Sequence, residues 1–233
     1  MKCVMITGAN RGLGKALLDT FRTTGWSVIA TARDTTALPA DASIDAVSLD
    51  LSSYGSVRRC AEEIRATGKT VDLLIQNAGY NPKDSKDDSY FRSTFNIAHF
   101  SGANVADSLH INALAPMELT SNLLPVLAPE AVVVMISSWL GSIGEKQMPG
   151  HYGYAGSKSL LNMFTKGMAL EFAETSRVAV AINPGWMATS MGGEKATATP
   201  EHVAGQILSL YTTGTLRESN GKFLNVDGTQ HPW

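Results

Sequence analysis

Short apolar runs and longer helical segments alternate along this chain from one end to the other. Seven short runs are nearly continuous in apolar residues, as expected for strands that are covered on both faces. These predicted strands are residues 2–7, 27–32, 44–49, 71–76, 131–137, 177–183 and 222–226. The predicted helices between them are residues 13–23, 53–67, 104–127, 154–173 and 200–210.

Regular alternation of strands and helices indicates an α/β fold. It predicts a doubly wound, Rossmann-type, mostly parallel seven-stranded sheet with helices on both faces. No linker rich in Pro, Gly or Ser and no internal repeat divides the sequence, so we expect a single domain over residues 1–233. The polar stretch 81–89 is predicted to be a flexible loop.

Composition narrows the classes of partner. The formal net charge is −2, and no block of like charges suggests a nucleic-acid or anionic-membrane binder. No run approaches the roughly 20 apolar residues that span a bilayer.

The first residues lead directly into a glycine-rich turn, so we expect no signal peptide. Cys3 and Cys60 lack metal or CxxC spacing, and the histidines share no metal spacing. We therefore expect a cytoplasmic protein with reduced thiols and no metal.

A glycine-rich turn follows the first predicted strand. Residues 7–14 read Thr-Gly-Ala-Asn-Arg-Gly-Leu-Gly, with Gly8, Gly12 and Gly14 in the spacing Gly-x-x-x-Gly-x-Gly. Such a turn lets the backbone approach a phosphate, and the next helix offers unpaired N–H groups to a pyrophosphate. Many αβ turns are rich in glycine without binding anything, but this one occupies the first βα turn, which favours nucleotide binding.

The end of the second strand is predicted to face the adenosine ribose. An acid at this position usually selects NAD, whereas an arginine accommodates the 2′-phosphate of NADP. Here the strand ends at Arg33, and Arg11 in the glycine turn can reach the same space. Two guanidiniums bind a phosphate well, which favours NADP, although Asp34 could still serve a ribose. Asp50, after the third strand, is a candidate for the adenine edge.

Polar residues near two further strands complete the candidate cleft. Residues 76–79, Gln-Asn-Ala-Gly, would let the chain pass beneath a cofactor, or would form a simple turn. Asn112 lies within a predicted helix and is either a surface amide or a buried one that bridges to water. Ser138 follows the fifth strand, where its hydroxyl could hydrogen-bond a substrate oxygen or merely form a turn.

Tyr154 and Lys158 begin the helix predicted at residues 154–173. Residues four apart share a helical face, so a phenol and an ammonium would lie side by side. A neighbouring cation lowers the pKa of a phenol, which would make the pair a proton-transfer device near neutrality. The spacing Tyr-x-x-x-Lys also occurs by chance on many surface helices.

The segment after the sixth strand is predicted to cross the cleft. Residues 183–189 read Asn-Pro-Gly-Trp-Met-Ala-Thr, in which the Pro-Gly turn redirects the chain and Thr189 could bind a carboxamide. The small residues 190–193 are consistent with a short lid, and together they predict a substrate loop near 186–199. A solvent-exposed loop is the alternative, although it would leave apolar residues such as Trp186 in water.

Taken together, these motifs resemble the short-chain dehydrogenase/reductase family. They occur in the family's order over essentially the whole chain: Thr7-Gly8-x3-Gly12-x-Gly14, Asn77-Ala78-Gly79, Asn112, Ser138, Tyr154-x3-Lys158 and Pro184-Gly185-x3-Thr189. Local stretches around residues 136–143, 157–162, 184–193 and 221–224 resemble the narrower branch of C-factor and sniffer-like carbonyl reductases.

The resemblance implies a role for each catalytic residue. Tyr154 would be the general acid/base, and Lys158 would bind the nicotinamide ribose and lower the pKa of the tyrosine. Ser138 would orient the carbonyl, and Asn112 would support a proton-relay water. The residues expected to bind the cofactor are Gly8, Asn10, Arg11, Gly12, Leu13, Gly14, Arg33, Asp50, Leu51, Asn77, Ala78, Gly79, Tyr154, Lys158, Pro184, Gly185, Met187 and Thr189.

Three departures from the family pattern are visible. Gln76 stands where the first asparagine of an Asn-Asn-Ala-Gly motif is usual, and the spacing from Ser138 to Tyr154 is longer than in most members. Tyr152 offers a second phenol, but it is six residues from Lys158 and would not share its helical face.

The sequence therefore predicts an NADP(H)-dependent oxidoreductase that interconverts a carbonyl and an alcohol, with NADPH preferred and NAD as the alternative. A dinucleotide-binding regulatory or signalling protein with little turnover is the second hypothesis. The expected partner is a small molecule, and a homodimer or homotetramer is consistent with the family. Candidate substrate-pocket residues are Tyr80, Trp139, Tyr152, Trp186, Met187 and Met191.

Overall fold

The structure, a computed structural model, describes residues 1–189, 191, 193 and 196–233. Its seven strands form one parallel sheet in the order β3-β2-β1-β4-β5-β6-β7, which confirms the predicted fold class. The strands are β1 Cys3–Ile6, β2 Ser27–Ala32, β3 Ile44–Ser48, β4 Val71–Gln76, β5 Leu127–Ile136, β6 Val178–Asn183 and β7 Phe223–Asn225.

Helices cover both faces of the sheet. They are α1 Gly12–Thr23, α2 Tyr54–Ala66, α3 Asp88–Phe95, α4 Gly102–Leu109, α5 Ala115–Leu123, α6 Tyr152–Phe172 and α7 Pro200–Thr212. A single π-helical turn, His110–Leu114, joins α4 to α5, and short 3-10 turns occur at Pro82–Asp84 and Trp139–Gly141. Of the helices in the described ranges, none combines the length and the apolarity that crossing a membrane requires.

Two apolar cores lie on opposite faces of the sheet. Successive residues of a strand point to opposite faces, so Val4 and Ile6 pack with α1 and α7, whereas Met5 packs with α2, α5 and α6. The central strands are buried on both sides and therefore read as continuous apolar runs. Because the strands are parallel, the polar residues at their carboxyl ends meet at one edge of the sheet.

The helix predicted at 104–127 is interrupted. Pro116 has no N–H to donate, and its ring would clash with the carbonyl of Asn112, four residues earlier. The chain widens to a π-helical turn immediately before this proline, and α5 ends at Leu123, before the short turn Leu124–Val126. The interruption leaves Asn112 inside the wide turn, where it is buried.

The prediction that residues 81–89 form a flexible loop is wrong in part. Asn81 accepts a hydrogen bond from the Lys83 N–H and caps the turn Pro82–Asp84. Asp87 accepts from the N–H groups of Ser89 and Tyr90 and caps α3, which sequence reasoning missed. The cap and the four-residue spacing of Phe91 and Phe95 are the signals that could have identified this helix.

Candidate active site

A cleft of about 310 Å³ opens at the carboxyl edge of β1, β2, β4 and β5. The structure brings every residue of the expected cofactor site to its lining except Gly185, an exposed residue beside the lining residue Pro184. Further lining residues, not among the predicted cofactor site, are Ala32, Leu49, Ser52, Tyr80, Ile111, Ile136, Ser137 and Met191. Most of them immediately neighbour predicted site residues, so adjacency to a strand end is the signal that could have identified them.

The glycine turn is built by close backbone contact. Gly8 and Gly12 have φ values of 68° and 52°, in the left-handed region that glycine tolerates best. A Cβ added at Gly14 would collide with the carbonyl oxygen of Gly8 and lie 2.7 Å from Asn77 Nδ2. Arg11, the N-cap residue of α1, gives that helix no side-chain cap, so the first N–H groups of α1 suit a phosphate.

Residues at the end of β4 brace this turn. Asn77 Nδ2 donates to the carbonyl oxygen of Thr7 at 2.9 Å, and Thr7 Oγ1 accepts from the N–H groups of Asn77 and Ala78 at 2.9 and 3.0 Å. Gln76 is buried, and its Nε2 donates to Pro116 O and Thr120 Oγ1, both at 3.1 Å. The glutamine thus ties the sheet edge to α5 and satisfies its own amide.

Charged side chains gather where β2 and β3 end. Arg11 and Arg33 both line the cleft. One carboxylate oxygen of Asp34 accepts from the N–H and hydroxyl of Thr36 at 3.0 and 2.7 Å, and Asp34 is not part of the lining. Asp50 lines the cleft, and hydrogen bonds from the Ser52 N–H and hydroxyl, with the nearby Arg33 charge, lower its pKa.

Tyr154 lines the other end of the cleft, and Ser138, which is not among the lining residues, lies beside it. Ser138, buried after β5, forms a side-chain hydrogen bond with the Tyr154 phenol. Burial raises the pKa of Tyr154 to about 12, the hydrogen bond from Ser138 opposes this shift, and the negative charge of Asp84 adds to it. The phenol is therefore protonated at neutral pH.

Lys158 lies beside the Tyr154 ring, as the four-residue spacing predicts, but its hydrogen bond is made to the backbone. Its Nζ lies 5.8 Å from the centroid of the Tyr154 ring and donates to Ile136 O at 2.8 Å. Burial lowers the pKa of Lys158 to about 8. The pKa of Tyr154 is raised here, whereas sequence reasoning expected it to be lowered, because burial outweighs the other influences on the phenol.

Asn112 is a buried bracing residue in the π-helical turn, with 1% of its surface exposed. Its Oδ1 accepts from the Tyr80 N–H at 2.7 Å, and its Nδ2 donates to Tyr80 O and Ser157 Oγ at 2.8 and 2.9 Å. A Cβ added at Gly79 would lie 3.4 Å from Asn112 Oδ1 and 3.7 Å from Lys158 Nζ. The asparagine, the lysine and the end of β4 therefore converge.

The segment after β6 forms the far side of the cleft. Pro184, Met187 and Thr189 line it, and a Cβ added at Gly12 would lie 3.4 Å from Thr189 Cγ2. This distance puts the threonine opposite the glycine turn. In the predicted substrate loop near 186–199, Ser190, Gly192, Glu194 and Lys195 lie outside the described residues, so the suggested lid remains a prediction.

The candidate substrate residues divide into two groups. Tyr80, Met187 and Met191 line the cleft. Trp139, Tyr152 and Trp186 do not, and Trp139 and Trp186 are 38% and 50% exposed. Within the described ranges, no group of three or more His, Cys, Asp or Glu side chains is arranged to hold a metal ion.

Comparison with known proteins identifies relatives of this chain. The family model for short chain dehydrogenase matches residues 2–200. The C-signal of Myxococcus xanthus is 33% identical over 166 residues, which cover 70% of this chain and 93% of that protein.

Solved structures of similar fold cover the whole chain. Carbonyl reductase Sniffer of D. melanogaster superposes with a TM-score of 0.87 at 27% identity, covering 100% of both chains. An NADPH-bound carbonyl reductase from chicken fatty liver has a TM-score of 0.82 at 25% identity and covers 100% of this chain and 99% of its own. The chain is thus similar to carbonyl reductases along its full length.

Proposed function

The chain belongs to the short-chain dehydrogenase/reductase family, and on that basis we propose that it is an NADP(H)-dependent oxidoreductase that interconverts a carbonyl and an alcohol. The observation that carries the proposal is the placement of Tyr154 and Lys158, with Ser138 beside the phenol, at one end of a cleft whose other end is the glycine turn. A protonated phenol, a hydroxyl and a groove that begins at a glycine turn are the parts that carbonyl reduction with a dinucleotide requires.

The proposed acid/base group is Tyr154. In the reducing direction, the bound dinucleotide would supply hydride to the carbonyl carbon. Tyr154 donates its proton to the carbonyl oxygen, and its raised pKa keeps it in the donating form through neutral pH. Ser138 donates a hydrogen bond to the charge that develops on that oxygen, a form of preorganised stabilisation that usually contributes strongly to catalysis.

Lys158 and Asn112 support this pair. Lys158 Nζ is fixed by Ile136 O on the wall of the cleft, where an ammonium can bind ribose hydroxyls. Asn112 holds both backbone groups of Tyr80 and so fixes the chain beyond Gly79. The role of Asn112 in a proton-relay water stays a prediction from the family resemblance.

The preference for NADP rests on charge at the adenosine end. Arg11 and Arg33 both line the cleft there, and guanidiniums form strong forked hydrogen bonds with phosphate. Asp34, the residue that could serve a ribose, uses a carboxylate oxygen in its own turn with Thr36. The similarity to an NADPH-bound carbonyl reductase points in the same direction.

The direct test is NADPH oxidation with a panel of aldehydes, ketones and quinones, measured in wild type and in Tyr154→Phe. We expect Tyr154→Phe to lose about 10²–10⁴-fold in kcat while its Kd for NADPH changes little, because only the acid is removed. Tyr152→Phe is the matched control, since it removes an exposed phenol from the same helix. Full activity in Tyr154→Phe would refute the assignment.

A second function has one observation in its favour. The relative named C-signal is 33% identical to this chain, which supports a dinucleotide-binding signalling protein with little turnover. The combined presence of Ser138, Tyr154 and Lys158 weighs against it, since a pure binder has no need of an acid beside a lysine. Tight NADPH binding without turnover on the carbonyl panel would favour the signalling protein.

We further propose one domain over residues 1–233 in a cytoplasmic protein that forms a homodimer or homotetramer. The buried free thiols of Cys3 and Cys60 are typical of a reducing compartment. Met163 and Leu170 leave apolar side chains exposed on α6, which supports helix-mediated association. Sedimentation equilibrium of the purified chain tests the assembly.

A further inference from the structure

A buried asparagine links the two halves of the reaction site. Asn183, the last residue of β6, is 8% exposed, and its Oδ1 accepts from the N–H groups of Trp139 at 3.1 Å and Gly185 at 3.2 Å. Its Nδ2 donates to Asn225 Oδ1 on β7 at 2.9 Å. One side chain therefore ties together the end of β5, the turn after β6 and the edge strand.

The orientation of this amide follows from its partners. Backbone N–H groups can only donate, so the atom that faces both Trp139 and Gly185 must be the oxygen. The nitrogen then faces Asn225, whose oxygen accepts while its own Nδ2 donates to Thr229 Oγ1 at 3.0 Å. The chain of donors and acceptors is consistent along its whole length.

The two N–H groups belong to neighbours of functional residues. Trp139 directly follows Ser138, the hydroxyl proposed to orient the carbonyl. Gly185, with a φ of 76°, forms the turn after Pro184, which lines the cleft where the nicotinamide end is expected. Asn183 thus connects the segment that carries the substrate-orienting hydroxyl with the segment that faces the cofactor's reacting ring.

On its other side, Ser138 is held by a separate bond. Ser137 Oγ donates to Asn162 Oδ1 on α6 at 2.6 Å, so residues 137 and 139 are each anchored to a different element. The asparagine of α6 reaches only the Ser138 segment and the carbonyl oxygen of Gly141. Among the hydrogen bonds described for these two amides, those of Asn183 alone reach both reaction segments.

We propose that Asn183 is a positioning residue that fixes the distance between the Ser138 hydroxyl and the nicotinamide, an inference that rests on the proposed function. Hydride transfer requires the reacting atoms at about 3–3.5 Å, and a displacement of about 1 Å can cost 10²-fold in rate. Loss of the shared acceptor would release both segments and leave two N–H groups without a partner.

The test compares Asn183→Ala with a matched control at the opposite end of the same strand. Asn220 also ties β6 to its surroundings, because its Oδ1 accepts from the Ala179 N–H at 2.9 Å and its Nδ2 donates to Ala169 O at 3.0 Å. Asn220→Ala thus removes the same kind of bridge away from the site. Urea unfolding of both variants measures the purely structural loss.

We expect Asn183→Ala to lose about tenfold or more in kcat and to show a larger primary isotope effect with deuterated NADPH, since hydride transfer becomes more limiting. Asn220→Ala keeps kcat within about twofold at a comparable loss of stability. Asn183→Asp keeps an acceptor for both N–H groups but places its second oxygen against Asn225 Oδ1, so it recovers only part of kcat. Equal kcat values in Asn183→Ala and Asn220→Ala would overturn the inference.

Binding provides a readout that does not depend on turnover. Asn183→Ala should weaken NADPH binding about threefold or more while leaving the affinity for 2′-phospho-ADP-ribose, which lacks the nicotinamide, unchanged. Equal effects on both ligands would contradict the inference. If wild type binds NADPH but reduces no carbonyl, the proposed function fails, and this comparison still decides the role of Asn183.

Discussion

The two walls of the cleft are built in different ways. The wall made by β1, the glycine turn and the end of β4 consists of closely packed backbone, and Asn77 donates two hydrogen bonds to Thr7 across it. The opposite wall is formed by the turn after β6, where Pro184, Met187 and Thr189 line the cleft. Trp139 and Trp186 lie outside this lining and are exposed.

This difference shows where the chain tolerates change. A wall made of backbone contacts at the glycine turn has no spare volume, so the shape that receives a dinucleotide is fixed before any ligand arrives. The exposed side chains beside the opposite wall contribute little to stability, so we expect that they can differ at little cost to the fold. Under the proposed function, we therefore expect cofactor binding and substrate selection to depend on separate parts of the molecule.

The strongest test of the rigid wall is Gly14→Ala. The added methyl group would collide with Gly8 O and crowd Asn77 Nδ2, so we expect a loss of about 3 kcal/mol in the free energy of unfolding and no measurable NADPH binding. Urea unfolding and NADPH titration measure the two effects. Gly167→Ala is the control, because a Cβ there meets nothing within 4 Å and α6 should gain roughly 1 kcal/mol.

Where the walls meet, Lys158→Met tests the buried cation. The pKa of Lys158 is lowered from 10.5 to about 8, so the folded chain binds fewer protons than the unfolded chain between these values. Wild-type stability should therefore rise with pH across that window, by about 2 kcal/mol more than in Lys158→Met between pH 6.5 and 9.5.

Urea unfolding of both proteins at the two pH values measures this difference. Lys158→Met should also be the more stable protein at pH 6.5 while losing activity, since the cost of burying the charge disappears with the ammonium. Parallel pH dependence in wild type and variant would show that the lysine is not desolvated in the folded chain.

Arg33→Ser tests the charge at the end of the cleft where the 2′-phosphate of NADP is expected. A lost charged hydrogen bond costs about 1.5–3 kcal/mol, so we expect the Kd for NADPH to rise roughly ten- to hundredfold while the Kd for NADH stays nearly constant. Fluorescence titration with both dinucleotides measures the ratio. A uniform loss for NADH and NADPH would place Arg33 away from the 2′-phosphate.

The smallest stability effect is expected beside the opposite wall. Trp186→Ala should change the free energy of unfolding by less than about 0.5 kcal/mol, because the side chain is half exposed. Its effect should instead appear as altered relative kcat/KM values across the carbonyl panel. A large loss of stability would mean that this side chain is as closely packed as the glycine turn.

Sequence reasoning predicted the parallel sheet and the glycine turn because both depend on local patterns. Continuous apolar runs predict strands that are buried on two faces. Three closely spaced glycines predict a turn that larger side chains would obstruct. Hydrogen-bonding side chains that the sequence separates widely, such as Ser138 and Tyr154, were paired only through the family resemblance. Their contact depends on the tertiary fold, which the sequence pattern does not describe.

The remaining features depend on steric contacts, burial and strand order, which the period of apolar residues in the sequence does not predict. The break at His110–Leu114 follows from the steric demand of Pro116 on the turn before it. Helix α3 begins within the polar stretch 81–89 and is too short to show a sustained apolar period. The direction of the Tyr154 pKa shift was missed because burial outweighs the other influences on the phenol. The bridging role of Asn183 requires knowledge of which strands are neighbours in the sheet.

The wide turn at His110–Leu114 has a consequence for the helix beyond it. It holds one residue more than a regular turn, so every later side chain is rotated by about 100° from the direction an unbroken α-helix would give it. Beyond this turn, the Pro116 carbonyl and the Thr120 hydroxyl accept hydrogen bonds from Gln76 on the sheet edge. We therefore expect deletion of one residue from the turn to rotate α5 relative to the sheet edge and to remove both hydrogen bonds.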